Sequence, residues 1–127
     1  MLRPGLIAIS LVLAAACSDE RISPPLEQRL NEEAMRDIAS EFAIQKGMNL
    51  LCEREGPDLL GSFMEDLRYE GVDRQMRESI MAESVETMNK ISAEEPEYIC
   101  TPEMFESANL RVSQAMLSWD EMRGITQ

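Results

Sequence analysis

The chain has 127 residues, enough for one domain, with 24 acids against 12 bases, no histidine and a formal net charge of −12. Such a surface repels phosphate backbones and anionic headgroups, which disfavours nucleic-acid binding and flat adsorption to a membrane and favours a basic partner. Without histidine the commonest general base near neutral pH and the commonest transition-metal ligand are missing, so no zinc, haem or other cofactor is implied.

In chain order, the first feature is a short positive start at Arg3, an apolar stretch over residues 6–16 ending in Ala14-Ala15-Ala16, and then Cys17. The apolar run is too brief to span a bilayer as a mature helix and has the layout that a secretory peptidase requires. With cysteine directly after the small residues, the segment resembles the signal of bacterial lipoproteins. That resemblance implies cleavage of residues 1–16, lipidation of Cys17 and, from Ser18 beside it, an outer-membrane anchor with the domain facing the periplasm. Ordinary cleavage beside a free cysteine is the alternative. Processing removes Arg3 and no acid, so the mature charge becomes about −13. Residues 17–23 then form the lipidated cysteine and a polar tether of about 20 Å, and residues 24–127 form the domain.

Ser23 followed by Pro24 reads as a helix start, and Leu26, Leu30, Ala34, Ile38 and Phe42 follow at four-residue steps. Ile44, Met48 and Leu51 continue on a shifted phase, which predicts a bend near Gly47, an end around Glu55-Gly56-Pro57 and Cys52 in the last turns. A short second helix is expected between Pro57-Asp58 and Gly71, carrying Leu59, Leu60, Phe63, Met64 and Leu67. Asp73 is placed to cap a third, with Met76, Ile80, Met81, Val85, Met88 and Ile91 on its apolar stripe and Ala93-Glu94-Glu95-Pro96 at its end. Thr101-Pro102-Glu103 opens a fourth that shows Phe105, Ala108, Val112, Ala115, Met116 and Trp119 on one face before Gly124.

No stretch alternates like a strand, so the chain reads as all-α, a small single-domain bundle of about four helices with short connections and antiparallel neighbours. Once Cys17 is assigned to a lipid, Cys52 and Cys100 are left as a pair, and in an oxidising compartment they should join. Two buried free thiols are the alternative; their wide spacing does not suit a redox motif.

Chemistry-bearing patterns are sparse. Glu65-Asp66 and Glu94-Glu95 are paired carboxylates, but neighbours on a helix point to different faces, and a solvated charged surface accounts for them. There is neither a calcium loop nor a glycine-rich phosphate cradle. The nine methionines after Met1 fall mostly on the apolar stripes and read as core, though thioethers also line adaptable binding surfaces. Trp119, near the end of the last helix, is either core or the candidate contact with a partner.

Three segments, Gly47-Met48-Asn49-Leu50-Leu51-Cys52, Leu67-Arg68-Tyr69-Glu70-Gly71-Val72-Asp73 and Cys100-Thr101-Pro102, resemble parts of the periplasmic Tai-type immunity proteins that neutralise type VI secreted amidases. The resemblance implies an exported, helical, disulfide-linked protein that acts by binding another protein. Two widely separated cysteines in a small helical chain are also similar to the HdeA-type acid-stress chaperones, which implies loosening of the fold as carboxylates protonate. The expected function is therefore protein binding in the cell envelope without catalysis, as an inhibitor or immunity factor. Acid-triggered chaperoning and a carboxylate-dependent cell-wall enzyme are the alternatives.

Overall fold

A helix needs its first N–H groups satisfied, and Asn31 does this for the longest stretch of buried sequence. The computed structural model describes residues 30–124. In it Asn31 is extended (φ −80°, ψ 123°), its side chain accepts a hydrogen bond from the Ala34 N–H at 3.2 Å, and Glu32 and Glu33 face the positive end of the helix dipole. Helix α1 therefore runs Glu32–Leu51, not from Pro24 as the four-residue spacing predicts. Ser23, Pro24 and Leu26 lie outside the described residues, as does Cys17, but the extended backbone at Asn31 already interrupts a continuous helix.

The end of α1 also comes earlier than expected. Cys52 caps it, Glu53 takes a left-handed φ of 53°, and the Arg54 N–H returns to the Asn49 carbonyl at 2.9 Å. This closure usually employs glycine. Helix α2 spans Leu59–Tyr69, started by Asp58, whose side chain accepts from the Gly61 N–H, and ended at Gly71 (φ 83°), with the Val72 N–H bonded to Leu67 O and the Gly71 N–H to Arg68 O. Helix α3 is Arg74–Ser92; Asp73 stands at its start but makes no side-chain capping bond. A single turn, α4 (Pro96–Ile99), was not foreseen, and it carries the chain to Cys100. Helix α5, Pro102–Arg123, begins with the expected Thr101 cap, Thr101 accepting from the Met104 N–H, and stops at left-handed Gly124. Among the described residues there is no strand, so the all-α class holds.

Helix α1 is the hub. Its buried residues Met35, Ile38, Ala39, Phe42, Ala43, Gly47 and Met48 look in several directions, and α3, α5 and α2 all pack on it. Helix α5 runs antiparallel to α1, as Glu41–Arg111, Gln45–Asn109 and Cys52–Cys100 show in turn. Helix α3 runs parallel to α1, with Arg36 bonded to Glu83 and Ser79 near one end and Gly47 against Met88 and Ile91 near the other.

Between α1 and α3, Gly47 lets the backbones approach. An added Cβ at Gly47 would lie 2.8 Å from the Met88 carbonyl oxygen. The helix continues unbroken through Gly47, which is a contact glycine against α3.

The disulfide is formed: Cys52 and Cys100, 48 positions apart in sequence, are bonded with their Cα atoms 5.7 Å apart. Closing a loop of this length constrains the unfolded chain by about 4 kcal/mol. Beside it the Arg54 guanidinium lies 3.9 Å over the Phe105 ring, a second tie between the end of α1 and the start of α5.

Candidate functional site

Trp119, the sequence's candidate for a partner contact, is a core residue. It is 4% exposed, its ring meets Phe63 edge-on at 4.9 Å, and Phe63 meets Phe42 in the same manner at 5.7 Å. The indole Nε1 donates to Asp66 Oδ2 at 3.0 Å. At 4% exposure Trp119 is mostly core, packed on Phe63 and bonded to Asp66, and offers a partner only an edge of its ring.

The paired carboxylates are parted by the helix. Glu65 is exposed, while Asp66 turns inward to hold Trp119 and, at 3.3 Å, Arg123. Arg123 also donates to Glu70 at 3.0 Å and lies 5.5 Å from the Trp119 ring. Glu94 and Glu95 are exposed, Glu95 at the start of α4. Among the described residues no three His, Cys, Asp or Glu side chains are grouped to hold a metal ion.

The methionines divide. Met35 and Met48 are buried and Met64, Met76 and Met88 pack against the core. Met81 and Met116, expected on buried stripes, are exposed. Helix α5 buries only Ala108, Val112, Ala115 and Trp119, a narrow seam, and turns Met116 outward at 47% exposure.

On the same helix Leu110 and Leu117, two turns apart and so on one side, are 61% and 50% exposed. Sequence reasoning did not single them out. The signal that would have found them is their spacing: two leucines seven apart that fall off the Phe105 to Trp119 stripe.

Two grooves flank α5. One, about 370 Å³, lies over α1 between Asp37, Ile38 and Glu41 on that helix and Arg111, Gln114 and Ser118 on α5. The other, about 140 Å³, separates α2 from α5. Leu59, Ser62 and Asp66, at steps of three and four, form its α2 wall, Met116 and Asp120 its α5 wall, and Phe63 and Trp119 its floor.

No protein-family model, curated protein or solved structure matches the chain. The residues themselves must carry the functional argument.

At the far end of α2, the Asp58 carboxyl is held below its ordinary range, first by the Gly61 N–H and then by Lys46, whose Nζ is 3.2 Å away. This is a helix cap with an ion pair on it, and its chemistry is structural. What the described surface offers is three exposed apolar side chains on α5, Leu110, Met116 and Leu117, with Met116 on the wall of a small aromatic-floored groove, within a strongly acidic chain.

Proposed function

We propose that the chain is a lipid-anchored protein of the bacterial envelope that performs no catalysis and acts by binding another protein, as an inhibitor or immunity factor does. The observation that carries this reading is the outward set of Leu110, Met116 and Leu117 on α5. Large side chains kept in water beside a groove mark an interaction surface more readily than single scattered ones. The acidity supports a basic partner, because opposite potentials steer encounter. Arg3, the apolar run and Cys17 support the anchor, and no helix among the described residues is long and apolar enough to cross a membrane.

Cross-linking in native membranes followed by identification of the captured proteins tests it. The expected result is one reproducible basic partner that is lost with Leu110→Ser/Leu117→Ser. Capture of nothing overturns the reading.

A further inference from the structure

We propose that the outward face of α5 pairs with a cationic amphipathic helix of the partner. That helix sets apolar side chains seven residues apart against Leu110 and Leu117, and lysines or arginines beside Glu106 and Glu121. The inference rests on the partner-binding reading above and adds which face meets the partner and what chemistry the partner brings.

Helix α5 has two unlike sides. At 3.6 residues per turn, a step of two residues crosses to the opposite side of a helix. Leu110 stands two residues from both Ala108 and Val112, and Leu117 two residues from both Ala115 and Trp119, the four side chains that α5 buries. The leucines therefore lie opposite the buried seam, 61% and 50% exposed, with the exposed Ser113 and Gln114 between them.

Their spacing selects a helix as the occupant. Seven residues rise about 10 Å along the axis, the repeat by which one helix meets another in a coiled-coil seam. Same-face side chains of a strand recur about every 7 Å and do not match it.

Unpaired charge selects a basic one. Glu106 lies one turn before Leu110 and Glu121 one turn after Leu117, on the same side of the helix, and both are exposed. Neither carboxylate makes an ion pair or hydrogen bond among the described residues. The two bases of α5 are engaged elsewhere, Arg111 with Glu41 and Arg123 with Asp66 and Glu70. A lysine or arginine one turn outside each leucine contact would meet an open acid, so complementarity sets register as well as sign.

The same two glutamates disfavour a second copy of this chain. An antiparallel copy that set Leu110 against Leu117 would set Glu106 against Glu121 at both ends, and a parallel copy in register would face each glutamate with its own counterpart. An anionic lipid surface is repelled likewise.

The full chain, as expressed and processed, is titrated against labelled synthetic helical peptides, and fluorescence anisotropy reads binding. One peptide carries leucines seven apart with lysines one turn outside them, the second replaces the lysines by glutamates, and the third replaces the leucines by serines. Saturable binding is expected with the leucine–lysine peptide alone, weakening as salt is raised. Leu110→Ser and Leu117→Ser should each weaken it at least about tenfold, the scale of burying one leucine. Met81→Ser, at an exposed position on α3, should leave it unchanged. Glu106→Lys/Glu121→Lys should reverse the preference, so that the leucine–glutamate peptide binds more tightly than the leucine–lysine one, an outcome that loss of folding does not produce. Circular dichroism checks helix content in each variant. Equal binding of either control peptide, no binding of the leucine–lysine peptide, or an unchanged preference in Glu106→Lys/Glu121→Lys overturns the proposal. In the membrane cross-linking, a partner that Glu106→Lys/Glu121→Lys captures as well as wild type overturns this docking while leaving partner binding intact; capture of nothing overturns both.

Discussion

The Trp119 indole N–H reaches Asp66 Oδ2 at 3.0 Å across the gap between α5 and α2, so a core aromatic is anchored by a half-buried carboxylate that Arg123 also engages. The bond and the ion pair hold two parallel helices whose backbones stay apart, and they keep the groove between them from collapsing.

Removing the acceptor is therefore expected to be costly. Asp66→Ala leaves the buried indole donor unsatisfied and should destabilise the domain by about 1–3 kcal/mol. Asp66→Asn keeps an oxygen for the indole and should recover most of that. Urea unfolding followed by far-ultraviolet circular dichroism gives the comparison, and equal stability of Asp66→Ala and wild type would show the bond to be dispensable.

Gly47 yields a prediction whose sign opposes helix propensity. Glycine to alanine inside a helix ordinarily stabilises by about 1 kcal/mol. Here the new Cβ would meet Met88 O at 2.8 Å and Ile91 Cβ at 2.9 Å, one of them backbone, so α1 and α3 must separate. Gly47→Ala should lower stability by about 1–3 kcal/mol, the usual range for overpacking. A rise in thermal midpoint would mean that the two helices are not as close as described.

Glu53 and Gly71 make a complementary pair. Both take a left-handed backbone after a helix, with φ of 53° and 83°, but only one is glycine. Relief of Cβ crowding should make Glu53→Gly stabilising by about 0.5–1 kcal/mol, net of the extra freedom glycine gives the unfolded chain. Gly71→Ala, although nothing lies within 4 Å of the added carbon, should destabilise by about 1 kcal/mol through backbone strain alone. Denaturant midpoints of the two variants should move in opposite directions.

These positions mark what could be read from the residues. Thr101-Pro102, Asp58, Gly71 and Gly124 are local punctuation with one dominant conformation each, and all four delimit helices as their chemistry predicts. The Cys52–Cys100 bridge followed from counting thiols. Glu53 has no intrinsic preference for a left-handed cap, so the early stop of α1 depends on the Arg54 to Asn49 return, which no spacing announces. Asn31 was masked by apolar residues that keep the helical period across it.

The candidate surface was legible in reverse. Met116 and Trp119 lie on one stripe in sequence, yet Phe63 of α2, backed by Phe42 of α1, shelters Trp119 while Met116 stays in solvent. How wide a seam a helix buries depends on its neighbours, and a single helix's pattern does not specify it.

Asp58 connects stability to acidity. Its carboxyl titrates below the ordinary value of 3.8, chiefly because the Gly61 N–H bonds the charged form, and secondarily because of Lys46. A carboxyl lowered by folding contributes stability that is present above the unfolded value and is lost as pH falls through the folded one. Asp58→Asn can still cap α2 but does not titrate. The difference in stability between wild type and Asp58→Asn should therefore be largest above about pH 4 and shrink towards about pH 2, a range set by the linkage relation. Because the Gly61 bond is the larger cause, Lys46→Met should reduce this difference without abolishing it, and added salt should act in the same direction on the exposed pair. Thermal unfolding of the three proteins across that pH range decides the matter: a gap between wild type and Asp58→Asn that stays constant on acidification would remove Asp58 as a source of acid sensitivity.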